Sequence, residues 1–437
     1  MEWRILAKFA VTEPTRVIKD ACVVVEGNRI IDVGKERLKK KYPRYEKIEA
    51  GDGMVIPGLL NAHTHAAMTL MRGTADDMTL EEWLGKIWPI ERGLRKHDVY
   101  IGTLLACLEM IRSGTTCFND MYFFMDAVVK AIGESGMRGV VAYPLIELGD
   151  ESRGEKDLRE GERVVRRFHR RYGRVLCSFG PHAPYSCSPR FLCKVRELAD
   201  RYGVTIHTHL AETKGERSDV EKAFHLRLGG RTITEFLDEI GFLGDNVLAA
   251  HCVWLTEDDV AILAKRGVSV AHNPVSNMKL ADGIAPVPKM LAKGVRVGLG
   301  TDGAASNNSL DMFEAMKTVA LIHKVVLGDP TMVTAPQALG MATVDGAEAL
   351  HLDDLGSIRK GKKADLVILD LKRPRLTPLH HPVSQIVYAA RGSDVETVVI
   401  DGKLVMEDRR VLTVDEGDVL EEAERVSNAL LERAKEE

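Results

Sequence analysis

The stretch MVIPGLLNAHTH at 54–65 is an apolar, strand-like run that ends in two histidines separated by one residue. On a strand, residues i and i+2 face the same side, so His63 and His65 can aim their rings at one point. Taken alone, the pair fits a catalytic metal site and two partly buried structural histidines equally well. The rest of the chain has to decide.

Seven further runs of the same kind lie at 115–120, 139–147, 175–184, 205–213, 247–252, 268–274 and 295–303. Helical patterns separate them, for instance at 98–113, 126–135, 155–172, 189–202 and 256–266. Several close near a glycine suited to a helix C-terminus: Gly114, Gly136, Gly173, Gly203 and Gly267. Eight strands alternating with helices predict an α/β fold, a distorted (β/α)8 barrel, over 57–358. An open doubly wound sheet is the other arrangement such alternation permits.

Both ends read differently. Residues 1–56 contain ACVVVEG and RIIDVG, and residues 359–437 contain KKADLVILDL, VETVVIDGKLV and RRVLTV before a charged amphipathic helix at 416–437. Neither part is large enough to bury a good core alone. They are expected to pair into one small composite β-sandwich beside the barrel.

Composition narrows the functional class. A net charge of −4 gives no basic field to recruit nucleic acid or acidic lipid. No apolar stretch approaches the length of a membrane span, and MEWRILAKFA lacks the pattern of a signal peptide. Seven cysteines with no CxxC pair read as reduced thiols, so the expected location is the cytoplasm.

Chemistry gathers at the ends of the strand runs. His209 closes TIHTHLAE and Asp302 follows VRVGLG, both on the face where barrel active sites are built. Three imidazoles and one carboxylate with an open position suit one catalytic zinc. An open sheet would not bring its first, fifth and eighth strands to a point, so the barrel is preferred. His207 of the same run reads as a histidine packed behind the site. His251, ending LAAH, reaches the catalytic face, and Glu212 lies on the loop leaving His209, where a carboxyl can approach a substrate without binding the metal.

At this point a family is recognisable. NAHTHAAMTLMRG, EEWLGKIWPIE, SGTTCFNDMYF, GPHAPYSCS, HTHLAET, AHCVWL, HNPVSNMKLADGIAPV, GLGTDGAASNNSLDMFEAM and KGKKADLVILDL resemble the 5-methylthioadenosine/S-adenosylhomocysteine deaminases of the amidohydrolase superfamily, in order and over almost the whole chain. The resemblance implies a single divalent metal per subunit, Zn2+ with Fe2+ or Mn2+ as the other candidates. Binuclear relatives bridge two metals with a lysine from strand four, and VLCSFGPHAP offers none.

It also implies roles. His63, His65, His209 and Asp302 match the metal ligands, Glu212 the proton shuttle to the purine ring, Glu91 a carboxylate holding the ribose hydroxyls, and His182 a substrate-contacting histidine. Asp302 and His251 would handle the proton of the attacking water. Without the resemblance, Glu91 reads as a surface residue at a helix end and His182 as a loop histidine. Trp83 and Trp88 suit pocket walls and core positions equally.

One departure stands out: Tyr143 of MRGVVAYPLIE occupies the place of an arginine that grips a charged 5′-substituent, and Arg153 is a second candidate. The pattern is closer to archaeal relatives that accept 5′-deoxyadenosine. The expected reaction is hydrolytic deamination of adenine nucleosides with a modified 5′ end. Another amidohydrolase acting on a purine, pyrimidine or triazine ring is the alternative, and a non-catalytic metal-binding barrel is the rival from outside enzymology. The expected partner is a small nucleoside, without nucleic acid or membrane, and self-association into a homo-oligomer is left open.

Overall fold

The computed structural model describes residues 2–436; the last position of the expected C-terminal helix, 437, lies outside them. The chain begins with five strands: β1 (Glu2–Glu13), β2 (Arg16–Glu26), β3 (Arg29–Lys35), β4 (Glu46–Glu49) and β5 (Met54–Pro57). The barrel strands follow: β6 (Leu59–Thr64), β7 (Thr115–Met121), β8 (Arg138–Leu145), β9 (Val175–Pro181), β10 (Thr205–Leu210), β11 (Val247–His251), β12 (Ser269–His272) and β13 (Val297–Leu299). Four more, β14 (Leu366–Leu369), β15 (Val395–Ile400), β16 (Lys403–Glu407) and β17 (Arg410–Val411), return to the first group.

The barrel is an α/β fold in which β6 to β13 pair in parallel in sequence order. Among the described residues, its last seam, between β13 and β6, carries no regular ladder. Contacts just beyond β13 close it: Thr301 N–H donates to Asn61 Oδ1 at 3.0 Å and Asp302 N–H to His63 O at 3.0 Å. Gly300 makes this approach possible, because a Cβ there would stand 2.9 Å from the backbone of His63.

The chain ends form one mixed nine-stranded sheet in which β5 lies between β1 and β14. A separate apolar core, including Ile5, Val23, Val25, Ile30, Leu366 and Ile368, fills it with residues from both ends. Two features differ from the sequence reading. The run 54–65 is two strands, one in each sheet, and the chain crosses at Gly58, where a Cβ would fall 2.2 Å from Thr116 Oγ1. The 12-residue strand β1 opens the chain and pairs with β2, β4 and β5, although its apolar and polar residues alternate too weakly to announce it.

Helices wrap the barrel with local signals in place. Thr79, Thr232 and Thr256 form capping boxes with Glu82, Glu235 and Asp259, and Ser188 caps Pro189–Tyr202. The final helix, Glu416–Glu436, supports the helix carrying Glu91: Leu430 is buried near Gly93, and Arg433 Nε donates to Gly93 O at 3.2 Å. Buried Arg138 of β8 ties the two sheets together, with Nε and Nη2 both 3.0 Å from the carboxylate of Asp365 and Nη2 3.1 Å from Asp401. Among the described residues no helix is long and apolar enough to cross a membrane.

Candidate active site

His63 sits near the end of β6 and His65 just past it, His209 is the next-to-last residue of β10, His251 ends β11, and Asp302 lies three residues past β13. All therefore reach the C-terminal end of the barrel, as strand alternation predicts. Their backbones are bent to do so: Ala211, His251, Cys252 and Asp302 all adopt positive φ, between 50° and 71°. Such conformations are costly for residues with a Cβ.

The ring hydrogen bonds fix which nitrogens face inward. His65 Nδ1–H donates to Met121 O at 2.7 Å, and His209 Nδ1–H donates to His182 O at 2.6 Å. Carbonyls only accept, so both Nε2 atoms present lone pairs, and these face each other at 3.4 Å. Asp302 Oδ1 joins them, 3.3 Å from His63 Nε2 and 3.4 Å from His65 Nε2. Electron pairs turned towards one another at this range call for a cation between them. Among the described residues, buried His63 Nε2 has no hydrogen-bond partner. A tetrahedral zinc with ligands near 2.0–2.1 Å has ligand–ligand edges of about 3.3 Å, so the donor set fits that ion.

Two overlapping groups have metal-holding geometry: His63, His65 and Asp302, and His63, His209 and His251. The four expected ligands are thus gathered around His63, and His251 stands among them. The second oxygen of Asp302 is occupied, since Ser276 Oγ and Ser306 Oγ each donate to Oδ2 at 2.7 Å. His207 lies behind the cluster, its Nε2 2.7 Å from His63 Nδ1.

A cavity of about 910 Å3 opens above the cluster, large enough for a drug-sized ligand. His65, Glu91, His182, His209, Glu212, His251 and Asp302 all line it. Glu212 is buried rather than a solvated loop residue. Burial, followed by the negative field of Asp282, Asp302 and Glu216, holds its carboxyl well above the usual range. Its Oε1 is 3.5 Å from His251 Nδ1. Burial pushes His182 down to about 3, leaving a neutral imidazole, and raises Glu91 to about 7 although Tyr122 opposes that shift. Burial likewise acts to raise Asp302, but the facing His63, then His65 and His251, hold it well below the usual carboxylate range.

The profile of the family described as "Amidohydrolase family" matches residues 54–405, which span the barrel and most of the returning sheet. The chain belongs to the amidohydrolase family. This amidohydrolase is 51% identical over 418 residues, 95% of each chain, to a 5′-deoxyadenosine deaminase of Methanosarcina mazei. It is 48% identical over 423 residues, 96% of each, to a 5-methylthioadenosine/S-adenosylhomocysteine deaminase of Pelotomaculum thermopropionicum. Among solved structures, an adenosine deaminase from Xanthomonas campestris with bound zinc superposes with a TM-score of 0.91 at 35% identity, covering 98% of both chains.

Sequence reasoning passed over several residues that shape the amidohydrolase site. Ser276 and Ser306 lie inside HNPVSN and GTDGAASNN, yet nothing local marks a serine as a carboxylate anchor. Asn277, with Nδ2 2.9 Å from His251 Nδ1, and Tyr122, beside Glu91, were equally silent. Trp83 proves to be both things at once: it lines the cavity and is buried, with Nε1 donating to Ala305 O at 3.2 Å. Trp88 lines the cavity too. Tyr143 turns its hydroxyl to Asp157 Oδ1 at 3.4 Å, and exposed Arg153 stands at the cavity rim.

Proposed function

We propose that this chain is a zinc-dependent deaminase that replaces the 6-amino group of 5′-modified adenine nucleosides with oxygen and releases ammonia. Its substrates are 5′-deoxyadenosine, 5′-methylthioadenosine, S-adenosylhomocysteine and adenosine. The observation that carries the reading is a buried Glu212, its carboxyl pushed well above the usual range, lining one cavity with a metal-competent cluster. The deaminase relatives at 51% and 48% identity support the choice of substrate class.

In this reading His63, His65, His209 and Asp302 hold the ion, and the barrel (57–358) is the catalytic domain, flanked by 1–56 and 359–437. Zinc supplies Lewis acidity that lowers the pKa of a water towards about 7. Asp302, with Oδ2 held by two serines, receives the proton of the attacking water and later passes it to the departing amine. His251 orients that exchange. The adenine ring resists attack at C6 until its neighbouring nitrogen is protonated, and Glu212 delivers that proton. Glu91 accepts from the ribose hydroxyls, and neutral His182 contacts the substrate.

Tyr143 and Phe123, with ring centroids 6.3 Å apart, line the cavity together with Arg153, Lys156, Arg159 and Arg163, so both an aromatic face and cations are available to a 5′-group. Cys107, Cys117, Cys177, Cys187, Cys193 and Cys252 are free thiols among the described residues, which supports a reducing, cytoplasmic setting. The test is a ranking of kcat/KM over 5′-modified adenosines, guanine, cytosine and a chlorotriazine on zinc-loaded protein. A 5′-modified adenosine should lead, and a best rate on one of the other rings would overturn the assignment.

A further inference from the structure

One layer deeper in the barrel than the metal cluster lies a second cavity, of about 10 Å3, which is room for about one water. Asn119 of β7, Ser178 of β9 and His207 of β10 line it, with Val140 and Leu248 between them. The three polar residues are almost wholly buried. Each has a polar atom without a hydrogen-bond partner among the described residues: Asn119 Oδ1, Ser178 Oγ and His207 Nδ1. Their other polar atoms are engaged, since Asn119 Nδ2 donates to Ala62 O at 2.9 Å and His207 Nε2 faces His63 Nδ1 at 2.7 Å. A donor, an acceptor and a hydroxyl around a water-sized space match the two donors and two acceptors of one water.

We propose that this cavity holds one ordered water that accepts from His207 Nδ1–H and donates to Asn119 Oδ1, with Ser178 Oγ as its third partner. We further assign His207 as a positioning residue, which rests on the reading that His63 Nε2 faces a metal. His65 and His209 have their tautomers fixed by backbone carbonyls, which only accept. His63 alone leans on another imidazole, which can do either. With the water holding the proton of His207 on Nδ1, His207 Nε2 accepts from His63 Nδ1–H, and the lone pair of His63 Nε2 is turned to the metal. Partners of metal-bound histidines typically matter about 10- to 100-fold in metal affinity.

The test combines a high-resolution crystal structure of the zinc-loaded chain, 15N-histidine NMR and zinc affinity by chelator competition. The wild type should contain the water and report His207 as the Nδ1–H tautomer. Ser178→Val, which fills the space and removes the hydroxyl, should displace the water, move the His207 and His63 nitrogen resonances, and weaken zinc binding by about 10- to 100-fold. Should that variant not fold, Ser178→Ala, which only removes the hydroxyl, should show a smaller loss in the same direction. A cavity without water in the wild type, or a His207 protonated on Nε2, overturns the proposal. So does wild-type zinc affinity in the folded variant. A wild type that binds no zinc instead overturns the functional reading and with it the role of His207, whereas the water site is decided by the crystal structure alone.

Discussion

The main-chain N–H of Asp302 donates to the carbonyl oxygen of His63 at 3.0 Å. The first and last barrel strands are therefore joined at the two residues that must also stand 3.3 Å apart through their side chains. Thr64 Oγ1 adds a bond to Asp302 O at 2.9 Å. Backbone geometry brings the Asp302 carboxylate to the cluster, which leaves the two serines the narrower task of setting its rotation.

That division predicts the effect of removing them. Ser276→Ala combined with Ser306→Ala frees Oδ2 but leaves the backbone tie. Zinc affinity should fall by about 10- to 100-fold while the fold persists. Chelator competition and thermal unfolding of the zinc-free chain measure the two quantities separately.

Arg138 makes a prediction about stability. It is buried, and its fork holds Asp365 and Asp401 between the barrel and the returning sheet. Arg138→Ala leaves the buried carboxylate of Asp365 without its cation and should cost about 3–5 kcal/mol. Urea unfolding reads this directly. A loss below about 1 kcal/mol would mean that the carboxylates find other partners.

Glu216 gives a pH dependence. Burial pushes its carboxyl up to about 7, and its Oε2 accepts from Glu212 N–H at 3.0 Å. Between the ordinary value of 4.5 and about 7 the folded chain holds a proton that the unfolded chain has lost. This group's contribution is therefore full below pH 4.5 and is lost as pH rises through about 7, by roughly 3 kcal/mol in total. Glu216→Gln keeps the acceptor and removes the titration, so its stability profile should be flatter across that range than the wild type's.

Strand alternation made most of the barrel legible, because a parallel strand buried on both faces and capped by a polar residue is a strong local signal. The helix Pro189–Tyr202 falls where the pattern places it, since Ser188 and Gly203 mark both ends. β1 was not legible, because its register is decided by β2, β4 and β5 rather than by its own pattern. The division of 54–65 at Gly58 depends on Thr116, which is far away in sequence. Within the site, residue type pointed to the imidazoles and to Asp302. Glu91 and His182 came into view only through resemblance, because one carboxyl on a helix and one histidine in a loop carry no pattern. The serines on Asp302 and the partner of His63 are facts of the fold.

The central claim is a Glu212 that holds its proton at neutral pH and gives it to the ring. The most direct measurement is kcat/KM for 5′-deoxyadenosine on zinc-loaded wild type and Glu212→Gln, with bound zinc quantified in both. General acid catalysis of this kind is worth about 10²- to 10⁴-fold. We predict a loss of that size at unchanged zinc content, with wild-type activity falling as alkaline pH removes the Glu212 proton. Equal rates in the two proteins, or no deamination by the wild type, would contradict the account.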